Sequence, residues 1–150
     1  MNSDSHSDDR TGRVLLDWEQ FEAVFQLTVQ MSWLPHERLS DYNLAQSEVD
    51  RLVDIVRGLR PSSGASNQVR FDVVDAEQAG WLAGSLPATR LEEGDLGVVA
   101  VAVLPARVIS EWASALEYVS SSWLGDRELF LRTGFHLGEA REAIDLLRRS

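Results

Sequence analysis

The sequence predicts a small α+β (or α/β) domain: a sheet of about three strands with a buried central strand near 96–104, covered by helices and ending in a helical C-terminal third. Three observations carry that expectation. The run "LGVVAVAVLP" is ten residues, Leu96 to Pro105, punctuated by Gly97 near its start and Pro105 at its end, and a valine-rich run of that length suits a strand covered on both faces. Val69, Phe71 and Val73 alternate with Arg70 and Asp72, the period of a strand with one buried face. Beyond residue 105 the apolar residues switch to steps of three and four, the period of helices packed on a core.

Taken in order, "MNSDSHSDDRTGR" is polar and acidic, so residues 1–13 are expected to be a disordered acidic tail and 14–150 a single globular domain. Asp17 with Gln20 has the form of a capping box, and Trp18, Phe21 and Phe25 follow at helical spacing. From Phe25 to Trp33 strict alternation competes with a helical stripe through Val24, Leu27, Met31 and Leu34. A short helix running into a strand is the expected outcome, with helix throughout 24–33 as the alternative. After Leu34-Pro35 a loop follows. Ser47 is then expected to cap a helix that buries Val49, Leu52, Val53, Val56 and Leu59 and stops at Gly58 to Pro61. "PSSGASNQ" reads as a surface loop, "DAEQAGWLAGSL" as one or two helical turns and "ATRLEEGD" as a polar loop.

Ile109, Trp112, Leu116, Val119 and Trp123 form the cleanest amphipathic stripe, with Trp112 and Trp123 expected in the core. Gly125 closes that helix, Asp126 opens a short one to Arg132, and Gly134 makes a corner before a last helix with Leu137, Ala140, Ile144 and Leu147 on one face.

Composition narrows the chemistry. With no cysteine, a disulfide framework, a thiolate metal site and a cysteine nucleophile are excluded. No apolar run approaches the ~18 residues that span a bilayer, and a cytoplasmic protein is expected. All fourteen basic residues are arginine, which points to a high-GC bacterial genome, and the net charge is −10, which argues against a nucleic-acid or membrane partner.

No glycine-rich phosphate loop is present, and "AGSLP" around Ser85 lacks the second glycine of a nucleophile elbow. Among the three histidines, His6, His36 and His136, only His136 with Glu139 has ligand spacing. Two groups do not make a zinc site, so His136 reads as a surface or capping residue. No catalytic residue, metal site or cofactor is assigned.

Binding has more support. Residues 72–95 carry Asp72, Asp75, Glu77, Glu92, Glu93 and Asp95 against the single Arg90, half of the chain's excess negative charge in twenty-four residues. Trp81 lies among them. The seven are the candidate partner-binding residues: complementary fields speed the capture of a basic protein, and a buried ring holds it. The alternative makes Trp81 a core residue and the acids a solubilising surface.

Two resemblances add to this reading. Thr133-Gly134-Phe135 followed by Ala140, Ala143 and Ile144 resembles part of a ubiquitin-associated domain, over under a fifth of the chain and with threonine at the corner where that family carries methionine. Residues 126–149 balance five acids with five arginines, and their regular apolar stripe reads as a docked C-terminal helix. By profile (small, acidic, cysteine-free, without a catalytic set) the chain is similar to bacterial immunity proteins and antitoxins. That resemblance implies a non-enzymatic toxin inhibitor that covers a basic partner such as a nuclease. A self-associating accessory protein, forming a homodimer through its apolar helices, is one alternative. The other is a small-molecule-binding protein or enzyme with a pocket beside strand 96–104.

Overall fold

The computed structural model describes residues 12–63, 68–74, 81, 89–94 and 97–149. In chain order they form β1 (Gly12–Asp17), α1 (Trp18–Met31), α2 (His36–Ser40), α3 (Gln46–Ser63), β2 (Gln68–Val74), β3 (Arg90–Gly94), β4 (Gly97–Pro105) and α4 (Ala106–Tyr118). A single π-helical turn (Val119–Trp123), α5 (Gly125–Thr133) and α6 (Leu137–Arg148) complete the fold. The architecture is α+β, with a sheet of four strands rather than three, ordered β1-β2-β4-β3. β2 and β4 pair in parallel at the centre, and each edge strand is antiparallel to its neighbour.

The sheet is two-faced because its strands alternate in register. Val14, Leu16, Val69, Phe71, Val73, Ala100, Ala102 and Leu104 share one face, and all are buried beneath the helices. The alanines of β4 leave room there for large rings. Phe71 stands opposite Ala102, and Trp112 of α4 meets Phe71 edge-to-face at 5.4 Å. The indole Nε1 of Trp112 donates to Thr28 Oγ1 at 3.1 Å, and that hydroxyl donates in turn to the Val24 carbonyl at 2.7 Å. One threonine therefore satisfies the only polar atom of a fully buried tryptophan and ties α4 to α1. Among the described residues no helix is long and apolar enough to cross a membrane.

Several elements depart from the sequence expectation. Residues 24–33 hold no strand: α1 runs unbroken to Met31 with Phe21, Val24, Leu27, Thr28 and Met31 buried. The capping box is present, with Gln20 N–H donating to Asp17 Oδ1 at 2.8 Å and Asp17 N–H to Gln20 Oε1 at 2.9 Å. Once the cap starts the helix, the 3.6-residue stripe finds its core. The alternating pattern would have needed Trp33 inside, and Trp33 is 71% exposed.

Gly12 and Arg13, expected in the tail, belong instead to β1, and "ATRLEEGD" contributes β3. Both are edge strands, short and charged, which hides them from a search for apolar alternation. Glu48, not Ser47, closes the start of α3, since its carboxylate accepts the Ala45 N–H at 3.1 Å. α3 also continues through Pro61 to Ser63, placing the proline in the last turn.

Trp123 leaves the core and is 39% exposed, although Ile109, Trp112, Leu116 and Val119 keep the stripe buried. The cause is the π turn: Leu124 N–H reaches back five residues to the Val119 carbonyl at 3.1 Å, so each residue there rotates the chain less than in an α-helix. A four-residue step then falls short of the buried face. The glycine corner is as expected, with Gly134 at φ +82° ending α5.

Candidate functional site

The expected partner-binding residues separate in space. Asp75, Glu77 and Asp95 lie outside the described residues. Trp81 takes the core alternative: it is 1% exposed, with the Arg51 guanidinium 5.5 Å above its ring. Its indole Nε1 and the Arg51 Nε are both buried without a hydrogen-bond partner among the described residues.

Asp72 and Glu92 meet on the opposite face of the sheet, inside a lattice of charges spanning β1, β2 and β3. Asp72, with a side chain 5% exposed, accepts from Arg70 Nε at 2.7 Å and Nη2 at 3.1 Å and from Arg90 Nη2 at 3.3 Å, and Arg13 Nε stands 3.6 Å away. Glu92 accepts from Arg70 Nη2 at 2.8 Å and Arg90 Nε at 2.7 Å. Val101, flanked in register by Arg70 and Arg90, is fully buried although it lies on this face, because long arginine stems cover what stands between them. Hydrogen bonds from Arg70 and then Arg90 hold the Glu92 carboxyl below the usual carboxylate range. Bonds to Asp72, set against burial, raise Arg70 above its ordinary value. These two acids are thus engaged within the fold, whereas Glu93 stays exposed on β3.

Four other carboxylates gather elsewhere. Where β1 passes into α1, the chain meets the start of α6 across a cleft of about 160 Å³ lined by Asp17, Glu19, Gln20, Ala23, Phe135, Glu139 and Glu142. Each side of the cleft is a helix N-terminus. Asp17 caps α1, and Glu139 caps α6 by accepting the His136 N–H at 2.9 Å. His136 is a capping residue, and its Nδ1 lies 4.0 Å from Asp126.

A helix N-terminus carries the equivalent of about half a positive charge. Two of them offset roughly one of the four carboxylates, so the cleft stays strongly anionic. Phe135, with the edge of buried Ala23, gives it a small apolar part that suits the methylene stem of a long cation. Among the described residues no three acidic or histidine side chains are placed to hold a metal ion, so the carboxylates line the cleft without converging on one point.

A shallower groove continues from the cleft along α6, sharing Gln20 and Glu142 and adding Gly138, Arg141, Asp145, Leu146 and Arg149. Trp18 opens α1 between Asp17 and Glu19. Its ring is 36% exposed and tilts against buried Phe21 at 5.9 Å, which holds it in place. Neither the cleft nor the groove is lined by β4.

Sequence reasoning missed this cluster for a geometric reason. Asp17 and Glu139 were each visible as acids at a helix start, but their meeting is a product of α6 packing against α1 and β1. A scan against protein-family models finds no match, and neither does a search of curated proteins or of solved structures.

Proposed function

We propose that this protein is a non-enzymatic, acidic protein-binding protein that captures a basic partner, in the manner of immunity proteins and antitoxins. The docking site is the cleft between the starts of α1 and α6. The observation that carries the reading is the set of four carboxylates, Asp17, Glu19, Glu139 and Glu142, around one cleft that Phe135 also lines, on a chain of net charge −10. A guanidinium or ammonium from the partner enters the cleft, its stem lies on Phe135 and Ala23, and Trp18 packs outside. The partly exposed, core-backed Trp18 takes the anchoring role first expected of Trp81. Long-range attraction brings the partner in quickly, and the local contacts decide how long it stays.

The test is association kinetics with a deca-arginine peptide and with any basic protein that proves to be encoded beside this gene, followed at low and physiological salt. Glu19→Lys with Glu142→Lys reverses two cleft charges that cap neither helix. At low salt the reversal is expected to slow association by about tenfold or more, and the difference should shrink as salt rises. A reversal on α2, Glu37→Lys, serves as the control and should change the rate far less. An unchanged on-rate in the double variant, or equal loss in the control, overturns the assignment of the site.

A further inference from the structure

A second cleft, of about 300 Å³, opens at the other end of α6. Its floor is the solvent side of α4 and the π turn, where Ser114, Glu117, Tyr118 and Ser121 recur at steps of three and four, with Ser122 beside them. Its walls are Tyr42, in the turn after α2, and Arg148, in the last turn of α6. Glu117 and Arg148 form an ion pair across it. Within the cleft Tyr118 lies 5.7 Å from Tyr42, and beside the cleft its ring is 6.5 Å from Trp123. The Arg38 guanidinium sits 5.5 Å over Tyr118 and pairs with Asp41 at 3.3 Å.

Two backbone departures frame this cleft. The π turn sets Ser121, Ser122 and Trp123 outward, and Asn43, next to Tyr42, is the one non-glycine residue with positive φ among the described residues, at 59°. Such departures have a local energetic cost and collect at binding sites.

We propose that this cleft binds a neutral pyranose unit of a saccharide. The C–H face of the sugar lies against the Tyr42 and Tyr118 rings, and vicinal hydroxyls bridge the Glu117–Arg148 pair, which presents an acceptor and a donor side by side. Ser114 and Ser121 add hydroxyls that both donate and accept. Charge excludes the obvious competitors: each arginine here is matched by a carboxylate, Arg148 by Glu117 and Arg38 by Asp41. A phosphate or a basic peptide therefore finds no net field, unlike a cation at the carboxylate cleft. An apolar helix would have to desolvate three serines and an ion pair.

The test is a titration of the isotope-labelled chain with cellobiose, lactose and chitobiose, read by amide shifts and tryptophan fluorescence. Saturable shifts confined to Ser114, Glu117, Tyr118, Ser121 and their neighbours are expected with at least one disaccharide. Affinity should fall about tenfold in Tyr42→Ala and in Glu117→Gln while the melting temperature holds. If Tyr42→Ala fails to fold, Glu117→Gln alone decides. No saturable shift with any of the three sugars, shifts centred elsewhere, or undiminished binding by Glu117→Gln overturns the proposal.

Discussion

Replacing Asp72 by asparagine tests whether the charge lattice on the sheet face opposite Phe71 is part of the fold or an available binding surface. The substitution keeps the shape and one acceptor oxygen but removes the charge shared by three arginines. Arg70 is the partner that counts most: its side chain is 15% exposed, and it makes two bonds to a carboxylate that is itself 5% exposed. A hydrogen bond to a charged, largely buried group contributes about 1.5–3 kcal/mol. Arg90 and Arg13 are much more exposed, so solvent screening limits each of those pairs to about 0.2–1 kcal/mol. The sum is a loss of about 2–5 kcal/mol, and at roughly 2–4 °C per kcal/mol for a chain of this size the melting temperature should fall by about 4–20 °C. Urea unfolding followed by tryptophan fluorescence measures it, with the midpoint moving at constant slope. A loss below about 0.5 kcal/mol would refute the reasoning and return Asp72 to the pool of residues able to face a partner.

Thr28→Val is nearly isosteric but strands the Trp112 Nε1–H in the core, so a loss of about 1–3 kcal/mol is expected in the same assay, and a neutral result would mean that the bond carries no weight. Glu111 and Glu92 bias the acid response in opposite directions. Burial, with Glu48 adding to it and Arg107 opposing, raises Glu111 above 4.5, so the folded chain binds that proton more tightly than the unfolded one. Glu111 therefore costs stability at neutral pH, and the cost disappears as pH falls through its raised value. Glu92, held low by Arg70 and Arg90, contributes stability above its unfolded value and loses it as pH falls through its depressed one. Glu111→Gln should accordingly stabilise the chain at pH 7 and flatten the part of the stability–pH curve that lies above 4.5. Persistence of the wild-type slope in that range would assign it to another group.

Particular residues show where the sequence was sufficient. The valine run that became β4, the alternation of Val69, Phe71 and Val73, and the stripe from Ile109 to Val119 each satisfied one period over enough residues for burial to select a single conformation. The caps of α1 and α6 and the glycine corner at 134 were equally legible, because local hydrogen bonding and a positive φ depend on a few consecutive residues. Charge was legible in total but not in place. The sequence determined that the chain is acidic; it did not show that Arg70 and Arg90 each pair with the acid on their own strand and with the one across β4, while Asp17, Glu19, Glu139 and Glu142 face one cleft.

The residues from 24 to 33 illustrate the boundary, since two periods fitted them and only packing against α3, α4 and α6 chose the helix. The edge strands β1 and β3 lacked an apolar signal because their identity comes from backbone bonds to a partner strand. By itself, then, the sequence determined the periods, the caps and the net charge, all set by neighbours along the chain. Tertiary structure decided which strands paired, which tryptophans stayed exposed and which carboxylates came to face one cleft. Those outcomes depend on residues far apart in sequence, whose pairing is set by the packed core.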